Sequence, residues 1–245
     1  MFLGFYNYTV ILTYLNLLSG FTGIILSIQN YNFVNASIFL LISGIFDIFD
    51  GFISRLKTKR SIQEKKYGIQ IDSLADIVSF GILPIFIGWS FLKKEYISNK
   101  NFIFLFSNSL ESFQVFFLFC CSFYILSVLI RLAYFNVTME IDKKTKFQNY
   151  YVGIPVTFSS IIFPFLILLQ NISKKYFNQK SNFFSFYLDY YIRIFPLIYL
   201  FFVLLLSFLF IFEKIKIKKN KNIFFIFCLT KFFLILIFSI YYFDH

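Results

Sequence analysis

Four aspartates fall within thirty residues of one another: Asp47, Asp50, Asp72 and Asp76. They interrupt otherwise apolar runs, Ile45-Phe46-Asp47-Ile48-Phe49-Asp50-Gly51 and Ile71-Asp72-Ser73-Leu74-Ala75-Asp76-Ile77. An ionised carboxylate at membrane depth costs at least ~2.5–3.5 kcal/mol, so four left uncompensated would cost well over ~10 kcal/mol. A bound cation offsets that charge. Asp47 and Asp50 are three apart and Asp72 and Asp76 four apart, so each pair occupies one helix face. Carboxylates without His or Cys select hard cations such as Mg²⁺, Mn²⁺ or Ca²⁺. Two such ions balance four carboxylates and suit displacement at phosphorus, because they stabilise both the attacking and the leaving oxygen. Mg²⁺ completes its shell with phosphate oxygens, which points to a diphosphate substrate. Gly51 permits close approach of a backbone or nucleotide, and Arg55, one turn on, offers a planar fork of donors for phosphate. The competing explanation is ion pairing of the acids with Arg55 or Lys57. Two pairs at helical spacing exceed what pairing needs.

The elements that carry these residues must be membrane helices. The 245 residues are 59% hydrophobic, 24% aromatic and 14% charged, against about 25% charged in a soluble domain. Seven runs reach or approach the ~20 residues needed to cross a bilayer: 9–28, 33–54, 72–90, 113–135, 151–170, 191–213 and 223–243. The expected fold is therefore an all-α polytopic bundle of six to seven transmembrane helices. The net charge of +11 sits mostly in alternate loops. Fourteen basic residues lie in 55–71, 136–150 and 214–222, against six in 91–100 and 174–180. The positive-inside rule puts the N-terminus and the 55–71 loop in the cytoplasm and the C-terminus outside. This distribution accounts for the charge without nucleic acid and gives a cytoplasmic face that attracts anionic lipid. Asp50 then lies five residues before Arg55, about 7–8 Å below the basic loop, and Asp72 lies four residues, about 6 Å, beyond Gly68. All four carboxylates can converge at one level near the cytoplasmic surface of a multi-pass protein.

No linker divides the chain. Ser19-Gly20, Gly23 and Ser43-Gly44 are small residues at spacings that allow close helix packing in lipid. Pro84, Pro155, Pro164 and Pro196 fall in or near spans, where they are tolerated and kink helices. Cys120, Cys121 and Cys228 lack metal-ligand spacing and read as packing residues. The first span has neither the basic start nor the cleavage site of a signal peptide. Segment 171–190 reads as an external loop or short surface helix, and residues 1–8 as an interfacial lead-in. Lys231, inside the last span, either snorkels or faces a neighbour, and the sequence assigns it no role.

The pattern Asp47-x2-Asp50-Gly51-x2-Ser54-Arg55, then Gly68-x3-Asp72-x3-Asp76, resembles the signature of the CDP-alcohol phosphatidyltransferases. Ser54 replaces the usual Ala, and twelve residues separate Arg55 from Gly68 where about eight are common, read here as a loop extension containing Glu64, Lys65 and Lys66. Over residues 13–155 the likeness narrows to the phosphatidylserine synthase branch. Its elements are Thr13-x2-Asn16-x3-Gly20, the run Ile71–Gly81, Arg131-Leu132-Ala133-Tyr134-Phe135-Asn136 and Gly153-Ile154-Pro155. Tyr134 stands where that branch commonly has a second Arg, and the seventh span exceeds the family's usual six.

The resemblance implies that the serine hydroxyl attacks the β-phosphorus of CDP-diacylglycerol, giving phosphatidylserine and CMP. It implies Mg²⁺ or Mn²⁺, two ions, held by Asp47, Asp50, Asp72 and Asp76, with Asp76 also the general base. Such a base is needed because a serine hydroxyl is a poor nucleophile until its proton is taken. Asp47, Gly51, Arg55, Gly68 and Asp72 would hold the CDP part. It implies a homodimer in the cytoplasmic membrane, a catalytic domain over 1–213, and an added basic loop and helix over 214–245. Arg131 has two readings, a cation for the serine carboxylate or an interfacial snorkelling side chain. Asn136 is a helix cap or an acceptor contact, and Asn16 packs the bundle or approaches the nucleotide. An alternative keeps the chemistry with another acceptor, such as glycerol-3-phosphate or inositol phosphate. Arg131 is the only arginine between 131 and 155, beside three loop lysines, which favours an unphosphorylated acceptor. A divalent-cation or proton transporter is the remaining alternative. It predicts acids spread through the membrane depth, whereas here they cluster.

Overall fold

In the computed structural model the described residues are 4–5, 8–29, 32–56, 60–98, 110–142, 150–178, 182–218 and 221–243. The chain forms α1 (Tyr8–Ile28), α2 (Phe33–Leu56), α3 (Ile62–Asp76), a π-helical turn (Ile77–Ile82), α4 (Leu83–Ser98), α5 (Leu110–Asp142), α6 (Ser159–Asn178), α7 (Asn182–Ile211) and α8 (Lys221–Phe243). Among the described residues six stretches are long and apolar enough to span: Val10–Ile28, Phe33–Ser54, Ile62–Lys94, Gln114–Thr138, Val156–Lys174 and Ile194–Ile211. Within α8 the described apolar stretch is shorter, Cys228–Ser239. The helical membrane bundle expected from the sequence is therefore what forms.

The boundaries correct the sequence reading in three places. The third span begins at Ile62, so much of the expected 55–71 loop is helix. Ser61 starts it with a capping box, its Oγ accepting from the Glu64 N–H while Glu64 accepts from the Ser61 N–H, both at 3.1 Å. The S-x-x-E spacing that signals such a box was present in the sequence but lay inside a basic stretch read as loop. Most of segment 171–190 is helix: α6 runs to Asn178 and α7 starts at Asn182. The helix of the fourth span, expected over 113–135, runs on to Asp142, so Arg131 lies well inside α5. Residues 1–3 and 6–7 of the expected interfacial lead-in, and loop residues 57–59 and 143–149, lie outside the described set.

Apolar burial fixes the bundle. A core of interlocked aromatics, including Phe91, Tyr124, Phe163, Phe195, Tyr199 and Phe210, joins α4, α5, α6 and α7. Edge-to-face rings such as Phe91–Phe195 and Tyr124–Phe163 add to their area burial. α1 lies along α2 and also packs on α3, the π turn and α4. α8 packs on α2 and α6. Two short strands, β1 (Tyr150–Val152) and β2 (Lys216–Lys218), pair antiparallel and tie the α5–α6 connection to the α7–α8 connection.

The π turn follows Asp76 directly. The Leu83 N–H bonds Val78 O, five residues back, so the turn is one residue wider than an α-turn. Such insertions change helix phase and recur at functional sites. This one is held from outside: Tyr124 Oη donates to Phe80 O at 2.8 Å and Ser159 Oγ reaches the same oxygen at 3.4 Å. On the opposite side it meets α1 at Gly20, where an added Cβ would lie 2.3 Å from Ser79 Oγ. The small residues that the sequence assigned to packing thus let α1 and the π turn touch.

Candidate metal and substrate site

α2 and the α3–π–α4 helix bring their acidic faces together. Carboxylate oxygens of Asp47, Asp72 and Asp76 lie within 4.8 Å of one another. Oxygens on opposite sides of an Mg²⁺ ion are roughly 4.2 Å apart, given ~2.1 Å bonds. The group thus fits a single hard cation with little adjustment. Asp50, one helical turn along from Asp47, flanks this group. Its Oδ2 accepts from Thr13 Oγ1 at 2.5 Å. The four acids act on one another through charge, each of Asp47, Asp72 and Asp76 feeling Asp50. Asp50 and Asp76 are buried.

α1 supplies the positioning bonds. Thr13 holds Asp50, and Asn16 Nδ2 donates to Asp76 Oδ1 at 3.1 Å. Ser79 Oγ donates to Asn16 O at 3.1 Å, which fixes α1 against the π turn at the same level. Asn16 is fully buried, and its Oδ1 has no hydrogen-bond partner among the described residues. A buried acceptor left unpaired costs about 1–3 kcal/mol. Of the two sequence readings of Asn16, the hydrogen bond within the bundle is present, and it is made to Asp76.

Arg60 also comes to the site, which the sequence did not single out from its basic loop. Its Nε and Nη2 are buried without a hydrogen-bond partner among the described residues, and its charge acts on Asp50. Gly68 lies inside α3, with open space where a side chain would be. Gly51 and Ser54 lie on α2, Ser54 Oγ donating to Gly51 O at 3.3 Å. Arg55 is also on α2, and its side chain lies outside the described set.

The two proposed acceptor residues behave differently from each other. Arg131 is buried, not snorkelling. Its Nε donates to Ile154 O at 3.3 Å and its guanidinium packs against Gly153, whose φ of +72° requires glycine-like freedom. Arg131 thus clamps the turn before α6. Asn136 is no helix cap, since α5 passes straight through it. Its Oδ1 accepts from Ser73 Oγ at 3.1 Å, next to Asp72.

Three carboxylates thus converge in a geometry that could hold a metal ion, with Asp50 and two unbonded guanidinium nitrogens of Arg60 as further polar groups of the same region. The chain belongs to the CDP-alcohol phosphatidyltransferase family, whose model matches residues 6–195. It is 30% identical over 155 residues to the CDP-diacylglycerol–serine O-phosphatidyltransferase of Saccharomyces cerevisiae, covering 58% of this chain and 48% of that protein. It is 26% identical over 154 residues to the protein of the same name from Helicobacter pylori, covering 63% and 53%. Archaetidylserine synthase of Methanothermobacter thermautotrophicus is 39% identical over 80 residues, a third of each chain. The matches to the two serine transferases span about half of those proteins' length.

Proposed function

We propose that this protein transfers the phosphatidyl group of CDP-diacylglycerol to the hydroxyl of L-serine, forming phosphatidylserine and releasing CMP. The observation that carries the chemistry is the convergence of Asp47, Asp72 and Asp76 on one cation-sized space. The choice of serine rests on the relatives' names and on the sequence elements around Asp72–Gly81 and Arg131–Asn136.

The serine oxygen forms a bond to the β-phosphorus, the bond from that phosphorus to the bridging oxygen breaks, and CMP leaves with that oxygen. Asp76 takes the hydroxyl proton. Asn16 donates to Asp76 Oδ1, which orients the carboxyl group for that step. Two Mg²⁺ or Mn²⁺ ions, bound by Asp47, Asp50, Asp72 and Asp76, would neutralise the diphosphate and the developing charge on both reacting oxygens. Thr13 fixes Asp50 for that purpose. Gly51, Arg55 and Gly68 receive the CDP part, and Arg60, with its unpaired buried donors beside Asp50, contacts the diphosphate as well. Arg131 and Asn136 shape the acceptor side, Arg131 by holding the Gly153–Ile154 turn and Asn136 through Ser73. The site opens to the cytoplasm, where CDP and serine are dissolved, while the acyl chains remain in lipid.

The test is an acceptor panel with purified protein, Mn²⁺ and CDP-diacylglycerol. Serine should support CMP release and a chelator should abolish it. Release with glycerol-3-phosphate but not serine would overturn the acceptor, and no release with any alcohol would overturn the transferase reading. Asp76→Asn should abolish turnover while CDP-diacylglycerol still binds; near-normal turnover would remove Asp76 as the base.

A further inference from the structure

α8 lies wholly beyond the residues matched by the family, yet it packs on α2, the helix that carries Asp47 and Asp50. Lys231, in the middle of α8, is fully buried. Its Nζ donates to Gly44 O of α2 at 2.8 Å. Gly44 precedes Asp47 by three residues, so the ammonium sits on the helix face that carries Asp47. The seat is built for it. A Cβ at position 44 would lie 2.4 Å from Lys231 Nζ and 2.4 Å from Ser160 Oγ of α6, so only glycine leaves room for the lysine head between three helices. The charge of Lys231 acts on both Asp47 and Asp76.

A lysine at this depth is expensive to bury and persists where a partner of opposite charge compensates it. One hydrogen bond to a carbonyl satisfies one of its three donors and none of its charge. The opposite charge comes from Asp47 and Asp76, on which the ammonium acts through space.

We infer that Lys231 is a positioning residue of the active site: seated on Gly44, it places a positive charge one helical turn from Asp47 and thereby sets how strongly the carboxylate cluster holds its cation. It touches neither substrate nor reacting atoms. It makes α8 part of the catalytic unit, and it weakens cation binding relative to four unopposed carboxylates, which keeps the ions exchangeable. The inference rests on reading the carboxylates as a metal site.

The experiment measures Mn²⁺ binding to the purified full-length chain in detergent, by the paramagnetic resonance signal of the free ion, for wild type, Lys231→Met, Lys231→Gln and Lys231→Arg. Gln keeps a donor for Gly44 O without the charge, and Arg keeps the charge. The Met and Gln variants should bind Mn²⁺ at least threefold more tightly, and Arg should stay within threefold of wild type. A smaller change or weaker binding in Met and Gln would overturn the inference, as would tightening in Arg. Failure of both Met and Gln to fold, with a stable Arg variant, would make Lys231 a purely structural cation and equally overturn it. If wild type itself takes up no Mn²⁺, the metal reading of the carboxylates fails instead.

Discussion

Asn16 Nδ2 donates to Asp76 Oδ1 at 3.1 Å, joining residues sixty positions apart. The bond runs from the first helix to the carboxylate assigned the proton transfer. It constrains how the carboxyl group of Asp76 lies. Small misplacement of such a group is costly, since proximity effects are lost over distances of about 1 Å.

Asn16→Ala should therefore lower kcat by roughly a hundredfold. The KM for CDP-diacylglycerol should stay within a few fold. Steady-state CMP release distinguishes this from a nucleotide contact, which would raise KM instead. A kcat within threefold of wild type would remove the positioning role.

Thr13→Val replaces the hydroxyl that holds Asp50 by a methyl group of similar size. Hydrogen bonds to charged groups contribute about 1.5–3 kcal/mol. The Mn²⁺ concentration giving half-maximal activity should rise by roughly tenfold or more, since ~1.4 kcal/mol corresponds to a factor of ten. An unchanged activation curve would show that Asp50 needs no such support.

Gly20 and Gly68 separate packing from ligand contact. A methyl at Gly20 runs into Ser79, its Cβ 2.9 Å from the Ser79 backbone Cα, so α1 must move away from the π turn. Gly20→Ala should lower the unfolding temperature, with overpacking costing about 1–3 kcal/mol, and activity should fall with it. Gly68 meets nothing within 4 Å. In a helix interior Gly68→Ala should stabilise the substrate-free protein by up to ~1 kcal/mol. If Gly68 receives the nucleotide, the same variant raises the KM for CDP-diacylglycerol. A stable variant with unchanged KM would take Gly68 out of the CDP site.

Tyr124→Phe removes the hydroxyl that reaches Phe80 O inside the π turn. Ser159 remains on the same oxygen, so the loss should be modest, about 0.5–1.5 kcal/mol in thermal or denaturant unfolding. A larger drop in activity than in stability would show that the turn positions Asp76.

The membrane bundle, the helix count and the acidic pairs were legible in the sequence, because hydrophobic run length and three- or four-residue spacing are local properties. Asp47, Asp72 and Asp76 could be brought together on paper since one short connection joins their two helices. The start of α3 was equally local, written in Ser61 and Glu64, but a basic stretch masked it.

Contacts between distant helices were not legible. Thr13 and Asn16 reach Asp50 and Asp76 only because Gly20 lets α1 close on the π turn. The one-residue widening after Asp76 depends on Tyr124 and Ser159, two helices away. Lys231 gave no sequence signal beyond a charge in an apolar run. Its place one helical turn from Asp47 follows from a gap at Gly44, nearly two hundred residues earlier. Sequence by itself determined which groups carry charge into the membrane and on which helix faces they lie. Tertiary packing alone decided which hydrogen bonds orient them, because those bonds depend on approach distances between helices that no local pattern encodes.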